Sequence, residues 1–252
     1  MEFIIVAIFA LFASLLTFFS GFGLGTILMP VFAVFFPIEV AIALTSIVHL
    51  LNNLFKITLV GNKANWNIVL KFGVPAIISA FIGAWILMFF SGTEDWLIYY
   101  IAEKKCVITP IKVLVALLML GFAILELHPL YKRLGFSENK LLVGGAISGF
   151  FGGLSGHQGA LRSLFLVKCG LTKDSFIATG VIIASVVDIS RISVYFTKYS
   201  DFGLKENIPI LLTAITSAFV GAVVGKKLLK KITIGFVNIT VTILIMLLAV
   251  LL

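Results

Sequence analysis

Apolar residues in this chain run in long uninterrupted stretches, with neither the alternation of a strand nor the one-sided stripe of a surface helix. Phe3 to Ser20, Phe72 to Phe90, Ile208 to Gly225 and Ile232 to Leu252 are each free of charge, and each is close to the roughly 20 residues that cross a bilayer as a helix. Where no water reaches the backbone, every N–H and C=O must be satisfied within its own segment, so these runs predict helices. The absence of period-two alternation argues against a transmembrane barrel. In order, the pattern predicts helices over Phe3 to Ser20, Thr26 to Phe36, Glu39 to Val60, Val69 to Phe90 and Val107 to Glu126. A loop of mixed charge spans Ser91 to Lys105. Beyond the basic connector HPLYKRLGFSENK come an eleven-residue helix at Leu141 to Phe151 and a long segment at Ser175 to Thr197.

Two interruptions stand out. FSGFGLGTILMP, Phe19 to Pro30, places Gly21, Gly23 and Gly25 at every second position inside an apolar run, and FGGLSGHQGALRS, Phe151 to Ser163, does something similar half a chain later. Glycine costs about 1 kcal/mol against alanine in a helix and lets other groups approach the bare backbone, so each cluster predicts a break at membrane depth. A plainer role is close helix packing through small residues.

The second half repeats the first. SAFIGA at Ser79 to Ala84 returns as SAFVGA at Ser217 to Ala222, Pro75 returns as Pro209, and Asn53 and Lys56 return as Asp188 and Arg191, in each case three residues apart. The offsets of 138, 134 and 135 residues differ by only a few insertions. This ordered set predicts two repeats in one membrane domain, residues 1–130 and 140–252, with about 8 to 10 membrane segments. If the first break is a hairpin that enters and leaves one face, ten basic loop residues fall on one side and four on the other; if it crosses once, the split is eight to six. Charge asymmetry across a membrane therefore favours inverted repeats with both termini outside.

Composition agrees. Of 252 residues 61% are hydrophobic and 12% charged, and the mean hydropathy is +1.19, which together indicate a polytopic membrane protein. The net charge of +8 lies in short loops and forms no continuous basic face, so it points to topology and anionic lipid and away from nucleic acid. Cys106 and Cys169 stand apart without metal-ligand or disulfide spacing. The first twenty residues lack a basic n-region and a small-x-small cleavage site, and are expected to be a retained helix.

Ionisable residues within a membrane are costly and call for a role. Asp188 and Arg191 share a helix face and can pair, either as a structural ion pair or as part of a site. The feature common to both copies is the cation, Lys56 in one and Arg191 in the other, which suits an anion. Broken helices in corresponding positions of two inverted repeats point to a transporter whose site lies between them, with backbone N–H groups at the restarted helices, after Gly25 and Gly159, available to the anion. His157, Gln158 and Arg162 enrich the second break, and an arginine one turn into a helix beside a histidine suits an oxyanion. His49, inside its helix, and His128, in the basic connector, read as packing and loop residues. No nucleotide-binding loop, zinc-protease motif, nucleophile elbow or metal cluster is present in the sequence, so neither an enzyme nor a cofactor is expected.

GFGLGTILMP, FFPIEVAIALTS and GNKANW in the first half, and GGAISGFFGGLSG, CGLTKDSFIATG and SAFVGAVVGKKL in the second, resemble the TauE/SafE sulfite exporter family of integral membrane permeases, in order and over nearly the whole chain. The resemblance implies movement of small sulfur-containing anions, such as sulfite or organosulfonates, across a bacterial inner membrane. The chain departs from the family pattern at His157 and Gln158, where glycines are usual, and at Arg162 and Ser163, which replace apolar residues.

The expectation is thus an all-α polytopic carrier of two inverted repeats with helices broken at Gly-rich turns. Its substrate site is expected at Gly23, Gly25, Asn53, Lys56, His157, Gln158, Arg162, Asp188 and Arg191. Lys56, Arg162 and Arg191 would balance substrate charge, while Asn53, His157 and Gln158 would supply hydrogen bonds. Transport would work by alternating access, coupled to protons or to the membrane potential; a homo-oligomer is compatible with the sequence. The alternative is an intramembrane enzyme or a scaffold subunit of a larger complex.

Overall fold

The computed structural model describes residues 1–20, 23–91, 95–101, 104–127, 135–197 and 205–228, with 243, 246 and 247. Gly21, His128 and most of the run from Ile232 to Leu252 lie outside the described residues. The described helices are α1 Glu2–Ser20, α2 Gly25–Ala33, α3 Ile38–Val60, α4 Trp66–Phe90, α5 Pro110–Leu127, α6 Leu141–Ser155, α7 Gly159–Leu166, α8 Lys173–Tyr195 and α9 Ile208–Leu228. The protein is essentially all-α. Four of these helices, α3, α4, α8 and α9, are long and apolar enough to cross a membrane.

Local chemistry sets the boundaries. Asn65 caps α4 by accepting from Ile68 N–H at 3.2 Å, so the helix starts at Trp66, a turn before the expected Val69. Thr172 caps α8 in the same way, accepting from Ser175 N–H at 3.3 Å. α6 has 15 residues instead of the expected eleven: Gly152 and Gly153 continue the helix, and Gly156, with φ of 81°, ends it in the left-handed conformation usual just past a helix C-terminus. The loop before α5 holds an unexpected antiparallel hairpin, β1 Leu97–Ile101 and β2 Lys104–Ile108, with Leu97 opposite Ile108. α5 therefore starts at Pro110 and not at Val107. LIYYI and KKCVI are short runs rich in β-branched and aromatic residues, which suit strands but are too short for their period to show.

Three helix pairs organise the core. α4 and α6 run parallel: Gly145, Gly149 and Gly153, one turn apart, lie against the backbone of Phe72, Ala76 and Ala80 in turn, so closely that a methyl group on any of them would collide with a main-chain oxygen. α1 and α9 are also parallel, with Gly221 against Leu11 and Gly225 against Leu15 and Phe18. Small residues let these backbones approach in a solvent that supplies no hydrophobic drive between helices. The central pair, α3 and α8, is antiparallel, because the end of α3 meets the start of α8: Lys63, just past α3, pairs with Asp174, and Asn65 N–H donates to Thr179 Oγ1 at 2.9 Å. Lys226, near the end of α9, donates to Leu59 O at 3.0 Å, so Lys63, Lys173 and Lys226 gather at one end of the molecule.

Candidate functional site

The two breaks abut. A β-carbon on Gly25 would stand 3.4 Å from the Thr45 methyl and 3.8 Å from the carbonyl oxygen of Gly156, so the restart of α2 faces the turn that ends α6. Two main-chain carbonyls near that turn also accept from side chains of α8, although Gly152 O keeps the Gly156 N–H at 3.0 Å. Arg191 NH1 donates to Gly152 O at 3.4 Å and the Tyr195 hydroxyl donates to Gly153 O at 2.5 Å.

Asp188, in the middle of α8 and fully buried, collects donors from α3, from α8 itself and from the second break. His49 Nδ1 of α3 lies 2.6 Å from its Oδ2, and Asn53 Nδ2, one turn further along α3, lies 3.4 Å from the same oxygen. Gln158 Nε2, at the start of α7, donates to Oδ1 at 3.2 Å, and Arg191 donates to it through Nε at 3.0 Å, with NH2 2.8 Å away. A buried ion pair is tolerated in this way only when its remaining lone pairs and protons are also satisfied.

A pocket opens beside this cluster. Gly23, His49, Asn53, Lys56, Arg162 and Gly180 are among its lining residues. Gly180 lies beside the Arg162 guanidinium, where a β-carbon would stand 3.4 Å from Nε, an ordinary contact distance; Arg162 NH1 is 3.5 Å from Gln158 Oε1. Lys56 Nζ lies over the Phe18 ring, 5.5 Å from its centroid, within reach of a cation–π contact. The surrounding hydrogen bonds orient the Asn52 amide so that its oxygen accepts from Lys56 Nζ at 3.2 Å and its nitrogen donates to Ser14 and to Ala218 O. Among the described buried residues, three basic side chains (Lys56, Arg162 and Arg191) face one carboxylate, Asp188.

The predicted residues therefore come together, in two layers. Gly23, Asn53, Lys56 and Arg162 line the pocket, whereas Gly25, Gln158, Asp188 and Arg191 lie behind it. His157 stands further back in the second break, with Nδ1 3.0 Å from Ser155 O, its ring stacked on Phe122 and its buried Nε2 without a hydrogen-bond partner.

A family model for the sulfite exporter TauE/SafE matches residues 6–252, essentially the whole chain. The chain belongs to the TauE/SafE family. This is a family of membrane transporters, not of enzymes, so the helices described above belong to an integral membrane protein. No curated protein and no solved structure matches the chain. In this TauE/SafE protein the residue that sequence reasoning passed over is His49, which sits on both the pocket wall and the Asp188 cluster. Its signal was the spacing of His49, Asn53 and Lys56 at i, i+4 and i+7, which puts all three on one face of an otherwise apolar helix.

Proposed function

We propose that this protein carries small sulfur oxyanions, sulfite or an organosulfonate, across a bacterial inner membrane by exposing the pocket between α3, α7 and α8 alternately to the two sides. The observation that carries this reading is the set of three buried basic side chains against one carboxylate at a pocket between two facing helix breaks. Placing cations in a membrane is unfavourable by about 2.5 to 3.5 kcal/mol each on insertion scales, and an anion in the pocket offsets that cost. Lys56 and Arg162 contact the anion, and Asn53 offers its amide. Arg191, Gln158 and Asp188 hold that wall in place, and the bare backbone of Gly23 leaves room for the anion to approach. His157 shapes the second break from behind.

The reading of residues 1–130 and 140–252 as inverted repeats draws support from packing. Exchanging the two halves turns the parallel pair α1 and α9 into the parallel pair α6 and α4, and turns the antiparallel pair α3 and α8 onto itself. Corresponding helices that run antiparallel suit an axis lying in the membrane plane.

Purified protein in liposomes tests the substrate. Wild type is expected to exchange labelled sulfite across the membrane, and Lys56→Ala and Arg162→Ala are each expected to slow that exchange by at least about tenfold, the scale of removing one charged contact to a bound anion. Unchanged exchange in both variants removes them from the site; absence of exchange for every sulfur oxyanion in folded wild type removes the substrate class.

A further inference from the structure

Among the buried groups of this cluster Asp188 is the obvious carrier for a proton, and its surroundings oppose that role. Its two oxygens accept from His49, Asn53, Gln158 and Arg191, which occupies the roughly four lone-pair sites of a carboxylate. A proton on Asp188 would have to displace one of these donors and would leave Arg191 buried without its counter-charge.

His49 has the complementary geometry. Its Nδ1 is 2.6 Å from Asp188 Oδ2, and a carboxylate partner places the ring proton on Nδ1, so that Nε2 keeps a lone pair. Nε2 is directed at the bare α-carbon of Gly23 on the pocket wall, where a β-carbon would stand only 2.7 Å away. Asn53 Nδ2 hangs beside the ring, 3.2 Å from Nδ1 and 3.4 Å from Nε2. One nitrogen is thus anchored to a buried carboxylate and the other borders the space an anion would fill.

Building on the carrier reading, we infer that His49 Nε2 takes up a proton together with the anion, so that the protein is a proton–anion symporter with His49 as its proton site. Among the described residues, the charged groups around the ring are Asp188 and Arg191 from α8, Lys56 from α3 and Arg162 from α7; the first break contributes Gly23 and Gly25, and α1 contributes Thr17 and Phe18. In the empty pocket the three basic side chains oppose an imidazolium while Asp188 favours it. An anion among them reverses that balance, so the proton and the anion each favour the arrival of the other, and the coupling is reciprocal. The proton comes from water onto Nε2, the Nδ1–H keeps donating to Asp188, and the proton leaves Nε2 for water on the far side as the anion departs.

The test uses proteoliposomes with a pH-sensitive dye in a weakly buffered lumen, the membrane potential held at zero by potassium and valinomycin. Sulfite is added at alkaline pH, where it is the dianion, and protein-free liposomes give the background of neutral permeation. Wild type is expected to acidify the lumen by about one proton per sulfite taken up, as one-site linkage requires. His49→Gln and His49→Asn, which keep an amide near one ring nitrogen or the other, are expected to slow sulfite uptake and to bring that ratio close to zero in the uptake that remains. A wild-type ratio near zero, or a ratio near one in either variant, overturns the inference and leaves the carrier intact. Loss of exchange in both variants while they remain folded places His49 in anion binding alone and also overturns it. If folded wild type exchanges no sulfite at all, it is the carrier reading that fails.

Discussion

Arg191 is fully buried, and its guanidinium serves two masters, the Asp188 carboxylate and the Gly152 carbonyl at the end of α6. Removing it leaves a buried carboxylate without its cation and takes a side-chain donor from Gly152 O, which keeps the Gly156 N–H. Arg191→Ala is therefore expected to lower stability by about 3 to 5 kcal/mol, read as a fall in unfolding temperature in detergent. Asp188→Ala combined with Arg191→Ala should cost clearly less than the two single changes added together, because neither charge is then stranded. Gly23 makes a different prediction. A methyl group there meets His49 Nε2 at 2.7 Å, so Gly23→Ala should reduce sulfite exchange about tenfold or more by displacing the ring, with little change in unfolding temperature. Among residues, much of the candidate site was legible: the shared three-residue spacing picked out Asn53, Lys56, Asp188 and Arg191. The same duplication hid His49, because its counterpart by that offset is Ala184, and a polar residue present in only one copy looks like an accident of packing.

Among the elements, the glycines of α6 do two kinds of work that composition alone could not separate. Gly145, Gly149 and Gly153 are contact points with α4, while Gly156 is a helix terminator with φ of 81°. The apolar sequence around them is equally compatible with either role, since both need only the absence of a side chain. Gly149→Leu is expected to force α6 off α4 and to destabilise the protein by at least about 1 to 3 kcal/mol, the range for overpacking a tight core. Gly121→Ala, in α5, is the matched control: its β-carbon meets nothing within 4 Å, and it should be neutral or stabilising by about 0.5 to 1 kcal/mol. Thermal unfolding of the two variants side by side checks both. The β1–β2 hairpin escaped sequence reasoning for a related reason, as five-residue strands fall below the length at which an alternating period can be distinguished from the ragged end of a helix.

Across the whole molecule, Lys63 and Asp174 join the end of α3 to the start of α8 at the end where the basic residues gather. The pocket lies further along the same two helices, lined by residues of both. If the pocket opens toward that end during transport, these two residues must separate. Lys63→Cys with Asp174→Cys, oxidised to a disulfide, is expected to stop sulfite exchange, and reduction should restore it; exchange that continues through the oxidised form would mean that the opening lies elsewhere. The all-helical membrane class followed directly from the length of the apolar runs. The pairing of helices from opposite halves did not, because apolar faces in lipid carry no periodic stripe that names a partner, and only the small residues at the contacts mark it. That pairing has a consequence for how the protein is made. α1 packs on α9, which begins at Ile208, so at about 5 to 20 residues per second the first helix spends on the order of 10 to 40 seconds in the bilayer before its partner is synthesised. α1 must therefore be content in lipid alone for that interval, which its lack of any charge between Phe3 and Ser20 allows.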